Sequence, residues 1–419
     1  MSFNEWKTYK IDEISNVRGG KRVPKGFNLL NNKTKYPYIR LVDIKNNRVN
    51  KENLMFLNKE THEKIKRYKV FTGDICLAIV GNTIGLVFYI TEEENGFNLT
   101  ENAVRITEIN KETVCCKFLY YYLFSNLGQE QILSNKVGSA QGKLPIKNIR
   151  NIEVRFPPLK EQKAISKILS DLDEKIEVNN KINKNLEEMA QAIFKQWFVD
   201  FEFPNEEGKP YKSSGGEMVE SELGMIPKGW KICELNELST LTMGLSPKSS
   251  SYNTEGTGTP LLNGAADFNN GLIKANKYTT QETRVCEKGD LVFCIRATIG
   301  NLTFSDNKYC LGRGVAALRA KREIFICLIY MNLLNSIEKL KSQATGSVIL
   351  GLSKPDINNM KVLYPNLETL TKYSNAFFSL FNKKEEIIRE NERLEKLRDT
   401  LLPKLMSGEI RVPLENSEN

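Results

Sequence analysis

From residue 159 to 200, apolar side chains recur at alternating steps of four and three: Ile165, Leu169, Leu172, Ile176, Leu186, Ala190 and Ile193. Asn179 and Asn183 take seam positions in the middle, and lysines and glutamates of alternating sign fill the outside. A second stretch, 367–406, follows suit with Leu370, Tyr373, Phe377, Leu380, Ile387, Leu394, Leu401 and Leu405, interrupted by Lys384, Asn391 and Arg398. This spacing predicts two long amphipathic helices with a heptad seam. Each would span roughly 60 Å at 1.5 Å per residue. Neither is apolar enough all round to be a core helix. Each is therefore expected to pair with the other as an antiparallel coiled coil, because a whole domain intervenes between them. Packing of each helix on its own domain is the competing arrangement. The polar seam residues Asn179, Asn183, Lys384 and Asn391 are expected to fix register, as polar breaks in a heptad do.

Elsewhere the pattern shortens. Asp74-Ile75-Cys76-Leu77-Ala78-Ile79-Val80 and Asp290-Leu291-Val292-Phe293-Cys294-Ile295 read as short apolar strands, each ahead of a small polar turn. Residues 117–133 and 324–340 have helical spacing. These landmarks come twice and in the same order. Trp6 answers to Trp230, Gly73-Asp74 to Gly289-Asp290, Thr83-Ile84-Gly85 to Thr298-Ile299-Gly300, and Gly138-Ser139 to Gly346-Ser347. So long a period is a duplicated domain, not a solenoid. The expected layout is a first domain over 1–158, a helix over 159–200, a linker over 201–227 rich in Pro, Gly and Ser, a second domain over 228–366, a second helix over 367–406, and a tail over 407–419. The fold class is α+β: two similar domains with bent or barrel-like sheets, joined by two long antiparallel helices.

Charge singles out one of the two domains. Residues 1–158 hold 25 basic and 16 acidic side chains, which is the whole of the net +9; residues 201–366 hold 19 and 17. The extreme stretch is 18–51, with ten cations (Arg18, Lys21, Arg22, Lys25, Lys33, Lys35, Arg40, Lys45, Arg48, Lys51) and one acid, Asp43. A solvated loop tolerates such a run. The interleaved Asn28, Asn31, Asn32, Tyr36, Tyr38, Asn46 and Asn47 favour nucleic acid, since cations grip phosphates and amides reach base edges. The two domains differ in these loops, 18–51 against 244–277, which suits a reader of two different half-sites.

Other classes are excluded in turn. At 40% apolar and 26% charged residues the composition is that of a globular protein. No apolar run approaches the roughly 18 residues of a membrane span. The first residues carry no basic-then-apolar signal pattern, so a cytoplasmic protein is expected. Eight cysteines without a CxxC pair read as reduced thiols, and with a single histidine, His62, no metal site is expected. No cofactor is expected either. Gly138-Ser139-Ala140-Gln141-Gly142-Lys143-Leu144 is one residue short of a phosphate loop, and Leu144 replaces its hydroxyl. The only Pro-Pro, at 157–158, lacks the flanks of an adenine methyltransferase loop, no glycine-rich fingerprint follows a strand, and although Pro355-Asp356 precedes Lys361, no acid-x-Lys pair follows at nuclease spacing. The chain reads as a binder without a catalytic centre.

Several segments carry a family resemblance. Pro157-Pro158-Leu159-Lys160-Glu161-Gln162 runs on into Ile165-Ser166-Lys167-Ile168-Leu169. Further on come Gln196-Trp197-Phe198-Val199-Asp200-Phe201, the stretch from Gly208 to Glu217, and Leu401-Leu402-Pro403-Lys404-Leu405-Met406-Ser407-Gly408-Glu409-Ile410. With the duplicated Gly-Asp and Thr-Ile-Gly landmarks, the chain resembles over nearly its whole length the specificity subunit of type I restriction-modification systems. It departs at Pro365-Asn366-Leu367-Glu368, where Pro-Pro-Leu with Glu-Gln is usual. The resemblance implies two target-recognition domains, double-stranded DNA as ligand, two modification (methyltransferase) subunits docked on the helices, and restriction subunits that complete an ATP-dependent endonuclease. Two other readings are a relative serving an enzyme that fuses methylation and cleavage, and a free-standing DNA-binding regulator.

DNA contact is expected on polar loops of both domains. In the first these are Lys21, Arg22, Arg40, Asn82, Thr83 and Lys143; in the second, Lys248, Asn263, Arg296, Thr298, Arg313 and Ser347. Turn formation competes for Thr83 and Thr298, and an ion pair within the domain competes for Arg296 and Arg313.

Overall fold

A computed structural model describes residues 6–138, 142–269, 271–296, 298–343 and 351–412. The chain forms two compact units, one from Met1–Glu177 with Glu392–Asn419, the other from Val178–Asn391. Each is an α+β body.

In the first unit, β1 (Asn16–Gly19), β2 (Ile75–Ala78), β3 (Val87–Tyr89) and β4 (Ala103–Thr107) make an antiparallel sheet in the order β1-β4-β2-β3. Every residue of β2 and β4 is buried, because both sheet faces are covered. Side chains alternate between the faces. Ile75, Leu77, Val104 and Ile106 enter one core with Phe118 and Leu119, while Cys76, Phe88 and Ala103 enter another with Ile39 and Leu99. Buried on both faces, the strands read as continuous apolar runs.

The second unit repeats this plan. There β5 (Ser239–Met243), β6 (Leu291–Cys294), β7 (Gly300–Phe304) and β8 (Val315–Ala320) lie in the order β5-β8-β6-β7. Leu291 and Phe293 face one core, Val292 and Cys294 the other. In each unit a short parallel pair stands beside the sheet: Pro37–Ile39 with Asn98–Leu99, and Thr259–Leu262 with Tyr309–Leu311. A two-stranded ladder pairs each copy's first strand with its last, Lys7–Lys10 with Glu153–Phe156 and Lys231–Glu234 with Lys361–Tyr364.

The barrel-like closure expected of the sheets is not present. Among the described residues the edge strands of both four-stranded sheets do not pair with each other, so both sheets are open. What bending there is comes from local devices, such as the register shift between β6 and β7 at Val292–Cys294. The helical spacing of 117–133 resolves into two helices, Cys116–Phe124 and Asn126–Ser134. They break at Ser125, whose side-chain oxygen accepts from the Gly128 N–H at the start of the second.

The two heptad stretches are single helices, α1 (Leu159–Phe198) and α2 (Leu367–Ser407). Each unit holds a part of both. In the first unit Ile165 and Leu169 of α1 and Leu402 and Leu405 of α2 enter the core with Trp6. There Asp173 pairs with Arg398 at 2.9 Å and the buried Glu161 with Arg411. In the second unit Phe194 of α1 and Leu370, Tyr373 and Phe377 of α2 enter the core. There Asn179 Nδ2 donates to Asn391 Oδ1 at 2.8 Å and Lys384 pairs with Glu187 at 2.5 Å. Within each unit, residue numbers fall along α2 as they rise along α1, so the helices pack antiparallel. Both arrangements weighed from the sequence therefore coexist: the helices face each other and also pack on domain cores.

The segment 201–227, rich in turn residues, packs into the second unit. Phe203 stacks on Trp230 at 5.0 Å, and Met218–Ser221 pairs with Gly224–Pro227 as a hairpin. No helix among the described residues is long and apolar enough to cross a membrane. All eight cysteines are free. Burial pushes the Cys294 and Cys327 thiols up to about 12, leaving them neutral at pH 7.

Candidate nucleic-acid interface

At the end of each sheet, five chain segments are tied together through their backbones. In the first unit Gly20 N–H donates to the Ala103 carbonyl and Lys21 N–H to that of Leu99, both at 2.9 Å. Ile79 N–H donates to Asn102 O, Leu144 N–H to Ile79 O, Gly81 N–H to Gly142 O, and Thr100 N–H to Ile39 O. The loops carrying Lys21, Arg22, Arg40, Asn82, Thr83 and Lys143 thus form one connected surface. Glycine is required where two of them cross, because a Cβ on Gly20 would lie 1.9 Å from the Thr100 carbonyl oxygen.

The second unit repeats five of these six bonds. Gly244 N–H donates to Val315 O, Leu245 N–H to Leu311 O, Ile295 N–H to Gly314 O, Leu352 N–H to Ile295 O, and Gly312 N–H to Leu262 O. A Cβ on Gly244 would lie 2.0 Å from the Gly312 carbonyl oxygen. Here Asn263, Arg296, Thr298 and Arg313 come together, all four exposed, with the exposed Lys248 three residues beyond Leu245. Ser347 lies outside the described residues.

Side chains sort the candidates further. Lys21, Asn82, Thr83 and Lys143 are exposed. The Thr83 hydroxyl donates to Val80 O at 2.8 Å, the turn contact that competed with a ligand role. Arg313 and Arg296 make no ion pair among the described residues, so the competing assignment to ion pairs finds no support there. Arg296 stands at the ladder position of Val80, since Val80 bridges to Lys143 as Arg296 does to Gly351.

Arg40 is engaged differently. It is 30% exposed and holds Asp43, itself only 1% exposed, through two side-chain hydrogen bonds and its own backbone N–H. That contact raises the guanidinium pKa. In the second unit Asp267 accepts from the Gly264 N–H in the same way. Arg40→Ala would leave Asp43 buried without its cation. We expect a loss of about 2 kcal/mol, read as a lower thermal midpoint, whereas Lys21→Ala should stay within about 0.5 kcal/mol.

Nor is the basic stretch 18–51 a single surface. Arg18 pairs with Glu108, Arg22 with Glu101, Arg48 with Glu177 on α1, and Lys51 with Glu93 and Glu94. Lys21, Lys25, Lys33, Lys35 and Lys45 are exposed and in no ion pair among the described residues. Sequence reading missed Glu101, Thr100 and the two crossing glycines. The equal spacing of Gly20 and Gly244 from their paired tryptophans, Trp6 and Trp230, was the available signal.

The sequence matches the family described as type I restriction modification DNA specificity domain twice, over residues 4–188 and 227–397. The chain belongs to this family. Among relatives of the specificity family, a putative type I restriction enzyme MjaX specificity subunit from Methanocaldococcus jannaschii is 28% identical, covering 97% of this chain and 94% of its own length. The HindI specificity subunit of Haemophilus influenzae is 23% identical over 97% of this chain and its own full length. In fold, the chain is similar to the crystal structure of a type I restriction-modification S subunit from M. genitalium, with a TM-score of 0.57 at 20% identity over 96% of both chains. The two matched stretches of the specificity domain each contain one copy of the loop crossing.

Proposed function

We propose that the chain is the DNA-reading, non-catalytic subunit of a type I restriction-modification complex, and that it recognises a bipartite, asymmetric target. The recognition domains are 1–158 and 228–366, and each reads one half-site through the loop surface at the end of its sheet. The helices over 159–200 and 367–406 act as an antiparallel coiled coil that spaces the domains. They also dock two modification subunits and, through these, the restriction subunits, in the cytoplasm.

The observation that carries this reading is the duplicated crossing dressed with different side chains. Backbone hydrogen bonds place Ser246 where Arg22 stands and Arg313 where Glu101 stands. One scaffold with two chemistries suits two unlike half-sites. Two-fold readers place half-sites about 10 bp apart, centre to centre, and each domain covers only a few base pairs, so an unspecified gap should lie between.

The test is a methylation map of a host genome that expresses the chain with its methyltransferase subunits. Two short, different half-sites separated by a fixed gap are expected. A continuous palindromic motif would refute the two-reader scheme. Sequence-specific binding at full strength with no methyltransferase present would favour the free-standing regulator.

A further inference from the structure

In the first domain the loop crossing carries a cation held by a fixed carboxylate. Thr100 Oγ1 donates to Glu101 Oε2 at 3.0 Å, and Arg22 Nε donates to Glu101 Oε1 at 2.6 Å. Burial alone would raise the Glu101 carboxyl, but its own backbone N–H and the Arg22 guanidinium outweigh that and hold it below the usual carboxylate range. The carboxylate is thus charged at pH 7 and pinned from two sides.

The backbone under Arg22 is fixed as well. Gly20 and Lys21 donate to Ala103 O and Leu99 O on one side. The Tyr38 hydroxyl donates to Lys21 O at 2.8 Å, and Val23 packs against the cluster of Tyr38, Leu57 and Ile65 on the other. The Arg22 side chain is nevertheless 81% exposed. Only its Nε is engaged among the described residues, which leaves the two terminal amino groups, Nη1 and Nη2, of an exposed guanidinium available as a fork of donors.

Such a fork matches one base edge in the major groove. Guanine presents two acceptors, O6 and N7, at the spacing of a bidentate arginine, and no other base offers that pair. A carboxylate on Nε removes the rotational freedom that a long side chain loses on binding, and so sharpens discrimination without touching DNA itself. We infer that Arg22 reads a guanine in the half-site of the first domain, with Glu101 as its positioning residue. This rests on the DNA-reading role proposed above. The second domain lacks the pair, with Ser246 and Arg313 at the two places, so the effect belongs to one half-site only.

The experiment uses the complex of the full chain with its methyltransferase subunits. Each base pair of the mapped motif is substituted in turn, and binding to every duplex is compared with the parent duplex for four proteins: wild type, Arg22→Ala, Glu101→Ala and Glu101→Gln. Because each ratio compares duplexes on one protein, it does not depend on the active fraction of a variant. Arg22→Ala should flatten preference at one G·C pair of one half-site by about tenfold to a hundredfold, and leave the other positions unchanged. Glu101→Ala should flatten the same position severalfold. Glu101→Gln, whose amide oxygen still accepts from Nε, should keep most of the preference.

Three results would overturn the assignment while leaving the two-reader scheme intact. The first-domain half-site could contain no G·C pair. Arg22→Ala could weaken all duplexes equally, which marks a phosphate contact. Glu101→Ala could leave untouched a preference that Arg22→Ala removes. A motif without two separate halves would instead fail the scheme itself.

Discussion

Replacing residues 1–158 with the matching domain of another family member should exchange one half of the methylated motif and leave the other half as it was. The expected effect is all or nothing at the exchanged positions, because specific recognition exceeds non-specific binding by about 10³ to 10⁷. The first domain is suited to such a graft. Its opening strand, Lys7–Lys10, pairs with its closing strand, Glu153–Phe156, so the exchanged piece begins and ends on one ladder. Its core does receive side chains from outside the graft: Ile165 and Leu169 from α1, and Leu402, Leu405 and Met406 from α2. A donor must therefore keep apolar partners at Trp6, Phe118 and Phe156, or the graft will lose stability before it changes specificity. A methylation map of the chimera reads the outcome. A change in both halves would mean that the two domains do not read independently.

How much of this was legible in the sequence depends on range. The helices were, because α1 and α2 follow a heptad over some forty residues and periodicity of that length outweighs local exceptions. The duplication was legible too, through its order of landmarks. The sheet's shape was not. Apolar runs such as Ile75–Ala78 announce burial on both faces but say nothing of how many strands lie alongside, and the sheet is open, not barrel-like. At the candidate interface the structure ties the backbones of these loops into one surface. Individual cations were harder. Arg22 and Arg40 look alike as letters, yet one stands exposed and bonds through Nε to Glu101, 79 residues away, and the other is spent on the buried Asp43. An ion pair between distant residues leaves no local trace, and the charge of 18–51 overstated how many of its cations stand without an acidic partner.

Adding four residues to each long helix should move the half-sites apart without changing either one. Four residues lengthen a helix by about 6 Å and turn it by little more than one full revolution. At about 34 Å per 10 bp of duplex, that is one or two base pairs of added gap. The insertion must be matched in both helices. In the first unit Asp173 of α1 meets Arg398 of α2, and in the second Asn179 meets Asn391. Residues inserted in α1 between Lys175 and Val178 therefore need a counterpart in α2 between Glu392 and Lys396. An insertion in α1 alone cannot satisfy both registers. It would leave either Arg398 without Asp173 or the Asn179–Asn391 pair unmade, and a buried amide without its partner costs about 1–3 kcal/mol. The Oδ1 of Asn183 already lies buried without a hydrogen bond, so the seam has little polar slack. The single insertion should thus lower the thermal midpoint and blur the gap length, while the paired insertion restores stability with a longer, sharply defined gap. Methylation maps of both variants provide the measurement. A paired insertion that still selects the original gap at full strength would show that the helices do not set the spacing.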